Sequence, residues 1–496
     1  LPAIQTSLKA SFSDLQWVVD AYALTLAALL LVSGSVADII GRKRVFVIGL
    51  VLFALASLGC GLSGSPTVLT VARAVQGIGG AMLFATSLAL LASAFEGRER
   101  ATAFGIWGAT IGGAVAIGPL VGGALTDSLG WEWIFFVNVP IGIAAAFVTM
   151  AKVDESKDPT PAGVDWLGAL TFSASLFMLV FALIRGGEEG WSSTLIVSLL
   201  VGSVLAMAAF VTIELRRESP MLDLKLFRNP SFAGASIVAF VMSATLFAMF
   251  LYIVLYIQNV LDFTPFQAGV RFLPLSLVSF FVAPLAGKLA TRFPARALLG
   301  GGLAFVGLGL LLMAGITDSS KWTALLPGFL VAGAGVGIVN PNLAQAAVGV
   351  VHPRQSGMAS GINSTFRQIG IATGIAALGA IFQSHLKDNL SSALAGTPAA
   401  DHAGDIARGV SSGGVKQVLA AVPAQARATV DHAANHAFVS GLSDLFAIAA
   451  VVAFVGAALA LVLVRQSDFI GHASQGQGAP RRGEQGEGEA AATAAA

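Results

Sequence analysis

Thirteen apolar runs follow one another along the 496 residues, each about 18 residues or longer and so able to cross the hydrocarbon core of a bilayer. They fall at roughly 15 to 36, 45 to 62, 67 to 93, 101 to 125, 132 to 150, 166 to 184, 194 to 213, 232 to 257, 267 to 287, 297 to 316, 323 to 349, 357 to 383 and 438 to 464. In lipid every backbone amide and carbonyl must be satisfied within the chain, and at this length the element that does so is a helix. The chain is therefore expected to be an all-α integral membrane protein. Composition closes the soluble alternative, since 56% of residues are hydrophobic and 11% charged, against about a quarter charged in soluble domains.

Lysine and arginine set the expected orientation, because they accumulate in cytoplasmic loops. If residues 1 to 14 lie outside, most of the 28 fall on the inner side. Among them are Arg42, Lys43, Arg44, Arg98, Arg100, Arg216, Arg217, Arg292, Arg296 and Arg354, with Arg465, Arg481 and Arg482 after the last run. The short outer loops hold only Lys9, Arg185 and Lys321. This puts the C-terminus in the cytoplasm. The chain opens on Leu1-Pro2 without a signal peptide, and an outside start of that kind implies a helix ahead of the thirteen runs.

Several function classes drop out. Cys60 is the single cysteine and lies in a run, which excludes an intrachain disulfide and argues against a redox centre. A net charge of +1 with no basic block does not suit nucleic acid. His385, His402, His432 and His436 lack carboxylate or cysteine ligands at matching positions, so no metal site is expected. Neither G-x-x-x-x-G-K-[ST] nor H-E-x-x-H occurs, which argues against ATP coupling and against a metalloenzyme.

The stretch from Gly108 to Thr126, GATIGGAVAIGPLVGGALT, has no charge and no aromatic. On a helix Gly108, Gly112 and Ala116 line one stripe of small residues and Ala114, Gly118 and Gly122 a second, beside Gly123; such stripes let neighbouring backbones approach. Pro119 predicts a kink. Two charges lie in the runs nearby. Asp20 is read as the only acid inside any run, one turn below Trp17, and Arg73 lies about one and a half turns into its own run at comparable depth. Buried charges of this kind mark ion or proton paths, and the two are expected to pair. Gly34-Ser-Val-Ala-Asp38-Ile-Ile-Gly41-Arg42-Lys43-Arg44 sets Asp38 and Arg42 four apart on one face, before a turn at Gly41.

An internal repeat relates the two halves. Gly34, Ala37 and Lys43 match Gly287, Ala290 and Arg296 at an offset of 253, and Gly77, Gly79, Arg98, Ala103 and Gly105 match Gly333, Gly335, Arg354, Ala359 and Gly361 at 256. The pattern predicts a half over 1 to 150, two linker helices over 151 to 230 and a second half over 231 to 465. A mixed-sign inner loop at 151 to 165 is expected to be solvated. An outer loop is expected at 384 to 437, and a disordered cytoplasmic tail at 466 to 496. Two parallel halves around a midplane cavity is a transporter architecture. Tyr22, Gln76, Asn340, Asn363 and Arg367 are the polar groups expected to line that cavity.

Together these residues resemble the major facilitator superfamily, and within it the fourteen-helix drug:proton antiporter family. Gly34 to Arg44 is similar to that family's cytoplasmic loop motif, Arg73 to Ala81 to its helix 4 motif, and Ile117-Gly118-Pro119-Leu-Val-Gly122-Gly123 to its antiporter motif. Ile39, Ala114 and Glu132 depart from the usual residues of those patterns. The resemblance implies two six-helix halves plus two central helices, with the first helix missing from this chain. It implies a monomer that exports amphiphilic drugs in exchange for protons, with no cofactor. Asp38 would hold the N-terminal end of the helix near Ser356 as a cytoplasmic gate with Gly34, Gly41, Arg42 and Lys43. Arg73 and Asp20 would couple protons, and the bend at Pro119 would seal the cavity. The alternatives are a dedicated metabolite exporter, an uptake symporter and a non-transporting sensor.

Overall fold

The computed structural model describes residues 2–10, 12–95, 97–157, 165–217, 222–352, 355–395, 397, 404, 406–407, 410 and 427–469. Among these every element is a helix. The first part of the chain forms α1 (Pro2–Leu8), α2 (Phe12–Ile40), α3 (Arg42–Gly61), α4 (Pro66–Ala94), α5 (Gly97–Ser128), α6 (Trp133–Phe136) and α7 (Asn138–Lys152). Two helices follow, α8 (Trp166–Glu189) and α9 (Thr194–Arg216). The rest comprises α10 (Pro230–Leu255), α11 (Pro265–Leu289), α12 (Ala295–Met313), α13 (Leu326–Gly349), α14 (Ser356–Ala393) and α15 (Arg427–Leu463).

Polar side chains start the helices where the apolar runs begin. The Ser65 hydroxyl accepts from the Val68 amide ahead of Pro66, and the Asp165 carboxylate accepts from the Gly168 amide at 2.9 Å. Asn229 precedes Pro230 and accepts from the Ser231 amide at 2.9 Å, while Thr264 and Gln267 form a reciprocal capping box around Pro265. Each cap satisfies amides that the first turn leaves without partners.

Twelve helices among the described residues are long and apolar enough to cross a membrane. They cover twelve of the thirteen expected runs. The thirteenth, 101 to 125, lies inside the unbroken 32-residue helix α5.

Packing follows the repeat. In the first part α4 packs on α2 and α3, and α3 on α7; in the second, α13 packs on α11 and α12, and α12 on α15. The two parts meet through α2 against α14 and α11 against α5, so the repeat exchanges one contact for the other. The α8–α9 pair lies beside them, with α8 against α2 and α14.

Four expectations are corrected. The outer loop set at 384 to 437 is helical at both ends, because α14 runs on to Ala393 with Leu386 and Leu390 buried and α15 begins at Arg427. Asp20 is not the only acid in a run, since Asp444 lies within α15, where its Oδ2 is 2.9 Å from His385 Nδ1. The loop at 151 to 165 is not simply solvated. Arg42 N donates to the Ser156 carbonyl, and Glu155 caps α3. Gln466 to Asp468 form a 3₁₀ turn held by Asp468 to the Ser231 hydroxyl at 2.6 Å, and 470 to 496 lie outside the described residues, as does His402.

Candidate functional site

The last turn of α2 carries Asp38, only 7% exposed. Its Oδ1 accepts from the Gly357 amide at 3.0 Å and its Oδ2 from the Met358 amide at 2.8 Å, in the first turn of α14. Those amides are among the four that a helix start leaves free, and the helix dipole adds positive charge there. On the other side Arg42 clamps Oδ1 with Nε at 2.8 Å and Nη2 at 2.7 Å. Gly34, one turn back, lies directly on the Gly357 carbonyl, where any side chain would collide.

Gly41 makes the turn into α3 at φ 121, a conformation that favours glycine, and a Cβ there would also meet the Glu155 carboxylate at 2.6 Å. Glu155 accepts from Lys43 N at 3.0 Å and Arg44 N at 3.3 Å, while the Lys43 ammonium donates to the Met150 carbonyl at 3.0 Å. Gly34, Asp38, Gly41 and Arg42 thus form one latch across the two parts, and Lys43 at the start of α3 braces it against α7. Sequence reasoning missed Glu155. Its signal, an acid facing a helix start a hundred residues earlier, exists only in three dimensions.

Arg73 lies in a cluster of neutral groups. Its Nε donates to the Val18 carbonyl at 3.1 Å and its Nη1 to Gln76 Oε1 at 2.5 Å, and its charge sits 4.1 Å from the centre of the Tyr22 ring. Gln76 Nε2 continues to Ser57 Oγ at 2.6 Å, which Asn138 also approaches at 3.5 Å. The expected pairing of Arg73 with Asp20 is not formed. Val18 and Tyr22 are one helical turn apart and face α4 together, whereas Asp20, two residues from each, is turned about 200° from Val18. That spacing was readable from the sequence.

The polar groups expected to share one cavity fall into two clusters: Tyr22 and Gln76 belong to Arg73, and Asn340, Asn363 and Arg367 to each other. Arg367 Nε donates to Asn363 Oδ1 at 3.3 Å and Nη1 to Asn340 Oδ1 at 3.1 Å. Asn342 turns away, its amide donating to the Ile338 carbonyl at 2.7 Å.

Along α5 the small-residue stripes separate. A Cβ at Gly105 would lie 3.1 Å from Pro284, at Gly108 3.1 Å from Pro341 and at Gly112 3.1 Å from the Ser279 hydroxyl, so this stretch packs closely on α11 and α13. Gly118, Gly122 and Gly123 have nothing within 4 Å of that position. Only the first of the two expected stripes is a contact face in this conformation. The two parts are further sealed near the latch by Leu88, Ala92 and Phe104 against Ala344 and Val348. The bundle is closed at the Asp38 end, and toward the far end of α5 the glycines have no packed neighbour.

A latch at one end, polar clusters within the helices and halves related by a repeat describe a transporter. The sequence profile of the Major Facilitator Superfamily matches residues 1–375. The chain belongs to the major facilitator superfamily. As a member it is a multi-span membrane transporter of small molecules and not an enzyme. Multidrug resistance protein Stp of Mycobacterium tuberculosis is 38% identical over 392 residues, spanning 79% of this chain and 73% of that protein. The tetracenomycin C resistance and export protein of Streptomyces glaucescens is 30% identical over 465 residues, spanning 93% of this chain and 86% of that one. Among solved structures, the superfamily's proton:xylose symporter XylE superposes with a TM-score of 0.60 at 13% identity, covering 94% of this chain and 91% of its own, a likeness of fold.

Proposed function

We propose that this superfamily member is a proton-coupled antiporter that exports amphiphilic drugs or antibiotics across the bacterial cytoplasmic membrane by alternating access. The observation that carries the reading is the Asp38 latch, a small set of breakable contacts that joins the two halves at one end of the bundle. Two states that exchange which end is joined are what alternating access requires. The lysine and arginine bias assigns the Asp38 end and the C-terminus to the cytoplasm. Asp20 takes a proton from outside, and Arg73, held by Val18, Gln76 and Tyr22, supplies the fixed positive charge in the same half. Protonation removes one negative charge from the N-terminal half and favours the inward-opening state. Drug entering from the cytoplasm then displaces the proton. Each charge moved inward contributes about 2.3 kcal/mol per 100 mV.

The test is quenching of a pH-sensitive dye in inverted vesicles holding the protein and a proton gradient. Addition of a transported drug should release protons, and Asp20→Asn should abolish that release while the protein stays in the membrane. Coupled release by Asp20→Asn at the normal rate would remove Asp20 from the mechanism. A second reading, an exporter dedicated to one metabolite, is favoured by the relative named for a single compound, tetracenomycin C. A panel in which one compound alone responds would select it.

A further inference from the structure

Arg367 lies about 16 Å along α14 from Ser356, near the middle of an apolar core about 30 Å thick. Arginine keeps its charge in proteins, so at that depth it needs an anion or a wet cavity. The helices packed on α14 do not supply the anion. From Pro230 to Leu255 in α10 and from Leu326 to Gly349 in α13 there is no acidic residue, and the charge on α4 is Arg73. On α2, Asp38 is committed to Arg42 and the start of α14, while Asp20 and Asp14 lie 18 and 24 residues before it, toward the opposite end of the helix. Glu188 and Glu189 close α8, where Glu189 binds Arg185, and on α15 Asp431 lies in the second turn and Asp444 binds His385. The partners of Arg367 are two neutral amide oxygens.

The buried atoms of the cluster that have no partner are all of one sign. Arg367 Nη2 is buried and has no partner, and so is Asn363 Nδ2, whose own oxygen is held toward the guanidinium. Both are donors. A buried cation with spare donors and no acid is complementary to a group that only accepts and carries negative charge. Arg73 offers the contrast: its charge faces the Tyr22 ring, and its amide partner Gln76 is itself satisfied by Ser57.

We infer that Arg367, Asn340 and Asn363 form an anion subsite in the C-terminal half that takes a carboxylate or acidic phenolate of the exported compound. The inference rests on reading the space between the halves as the transport cavity. An amphiphilic substrate would dock its acidic group here, beside the apolar face of α10. The site predicts selection for acidic over neutral amphiphiles of the same shape.

The test uses the full-length protein in detergent and a matched fluorescent pair, dansylglycine and dansylglycine amide, which differ in the carboxylate alone. The wild-type protein should bind the acid at least tenfold more tightly than the amide. Arg367→Gln should collapse that ratio to near one, and Arg367→Lys should restore part of it. A wild-type ratio near one overturns the proposal without any variant. So does a ratio that Arg367→Gln leaves in place, because a purely structural arginine would weaken both ligands together. Displacement of dansylglycine by millimolar chloride would assign the site to an inorganic ion and overturn the substrate assignment. Because binding is read without flux, failure here is separable from failure of the vesicle experiment, which tests transport itself.

Discussion

The two contacts between the halves are copies of one another, yet only one is locked. Gly34 of α2 lies on the Gly357 carbonyl and 3.5 Å from Gly361 Cα, by the position its Cβ would take; Gly287 of α11 lies on the Ala101 carbonyl and 3.2 Å from Gly105 Cα in the same way. These are the residues that the repeat relates. At the same offset Asp38 becomes Thr291, whose hydroxyl only donates to the Lys288 carbonyl of its own turn at 2.9 Å. The difference originates in the partner helix. α14 begins at Ser356, so Gly357 and Met358 present free amides, whereas α5 begins at Gly97 and the matching amide of Ala101 is already spent on its own helix. Packing is inherited by the repeat, but an ionic latch also needs a helix end in the right place.

Removing the lock is the largest expected effect. Asp38→Asn deprives both the α14 amides and the buried Arg42 of their carboxylate. Breaking a buried, hydrogen-bonded ion pair costs about 3–5 kcal/mol, which is roughly 10²- to 10⁴-fold in the closed-to-open ratio. Drug efflux from vesicles should fall to background. Because Cys60 is the only cysteine, a Cys60→Ser background allows Ser356→Cys, buried beside the latch, to report opening by maleimide labelling. Labelling should rise with Asp38→Asn. Slow labelling together with normal efflux would reduce the latch to a structural contact.

The packing half of the comparison is tested by Gly34→Leu and Gly287→Leu. Either side chain would enter the backbone of the facing helix, and overpacking of this kind costs about 1–3 kcal/mol. Each variant should lose about tenfold in efflux, and the two losses should agree within about threefold. A loss confined to Gly34→Leu would show that the shared geometry hides unequal roles.

Much of this frame was legible in the sequence. Apolar runs located the helices because lipid leaves the backbone no alternative, and near-equal offsets at two places disclosed the repeat. The Asp38 to Arg42 pair followed from four-residue spacing, and its docking near Ser356 from resemblance. What escaped depended on direction or on distance along the chain. Asp20 and Arg73 share a depth, but helix rotation turns them apart. Glu155 caps α3 from beyond α7. The chain from 384 to 393 reads as loop because His385, Lys387 and Asp388 interrupt the apolar run, although Phe382, Leu386 and Leu390, each four apart, are buried along one face and carry the helix onward.

The second stripe of α5 gives a smaller effect with a different signature. Gly122 has open space where a side chain would project, so Gly122→Leu should leave thermal stability of the purified protein within about 0.5 kcal/mol of wild type. If the far ends of α5 and α11 meet when the transporter turns inward, the same side chain obstructs that state and efflux drops about fivefold, by the cost of one overpacked contact. Unchanged efflux would mean that this stripe faces away from the moving interface.

The smallest effect is expected from an attempt to copy the lock. Thr291→Asp places a carboxylate at the position related to Asp38, facing the stretch of α5 related to the start of α14. If the repeat alone made the latch, the new acid would bind there, hold the second interface shut and slow efflux strongly. If a free helix end is the essential partner, it finds only amides already bonded within α5. A surface carboxylate without a fixed partner contributes under about 1 kcal/mol. Efflux should then stay within about twofold of wild type. A tenfold slowing, reversed by Thr291→Asn, would show that α5 can release its amides and that the asymmetry between the halves lies in one side chain.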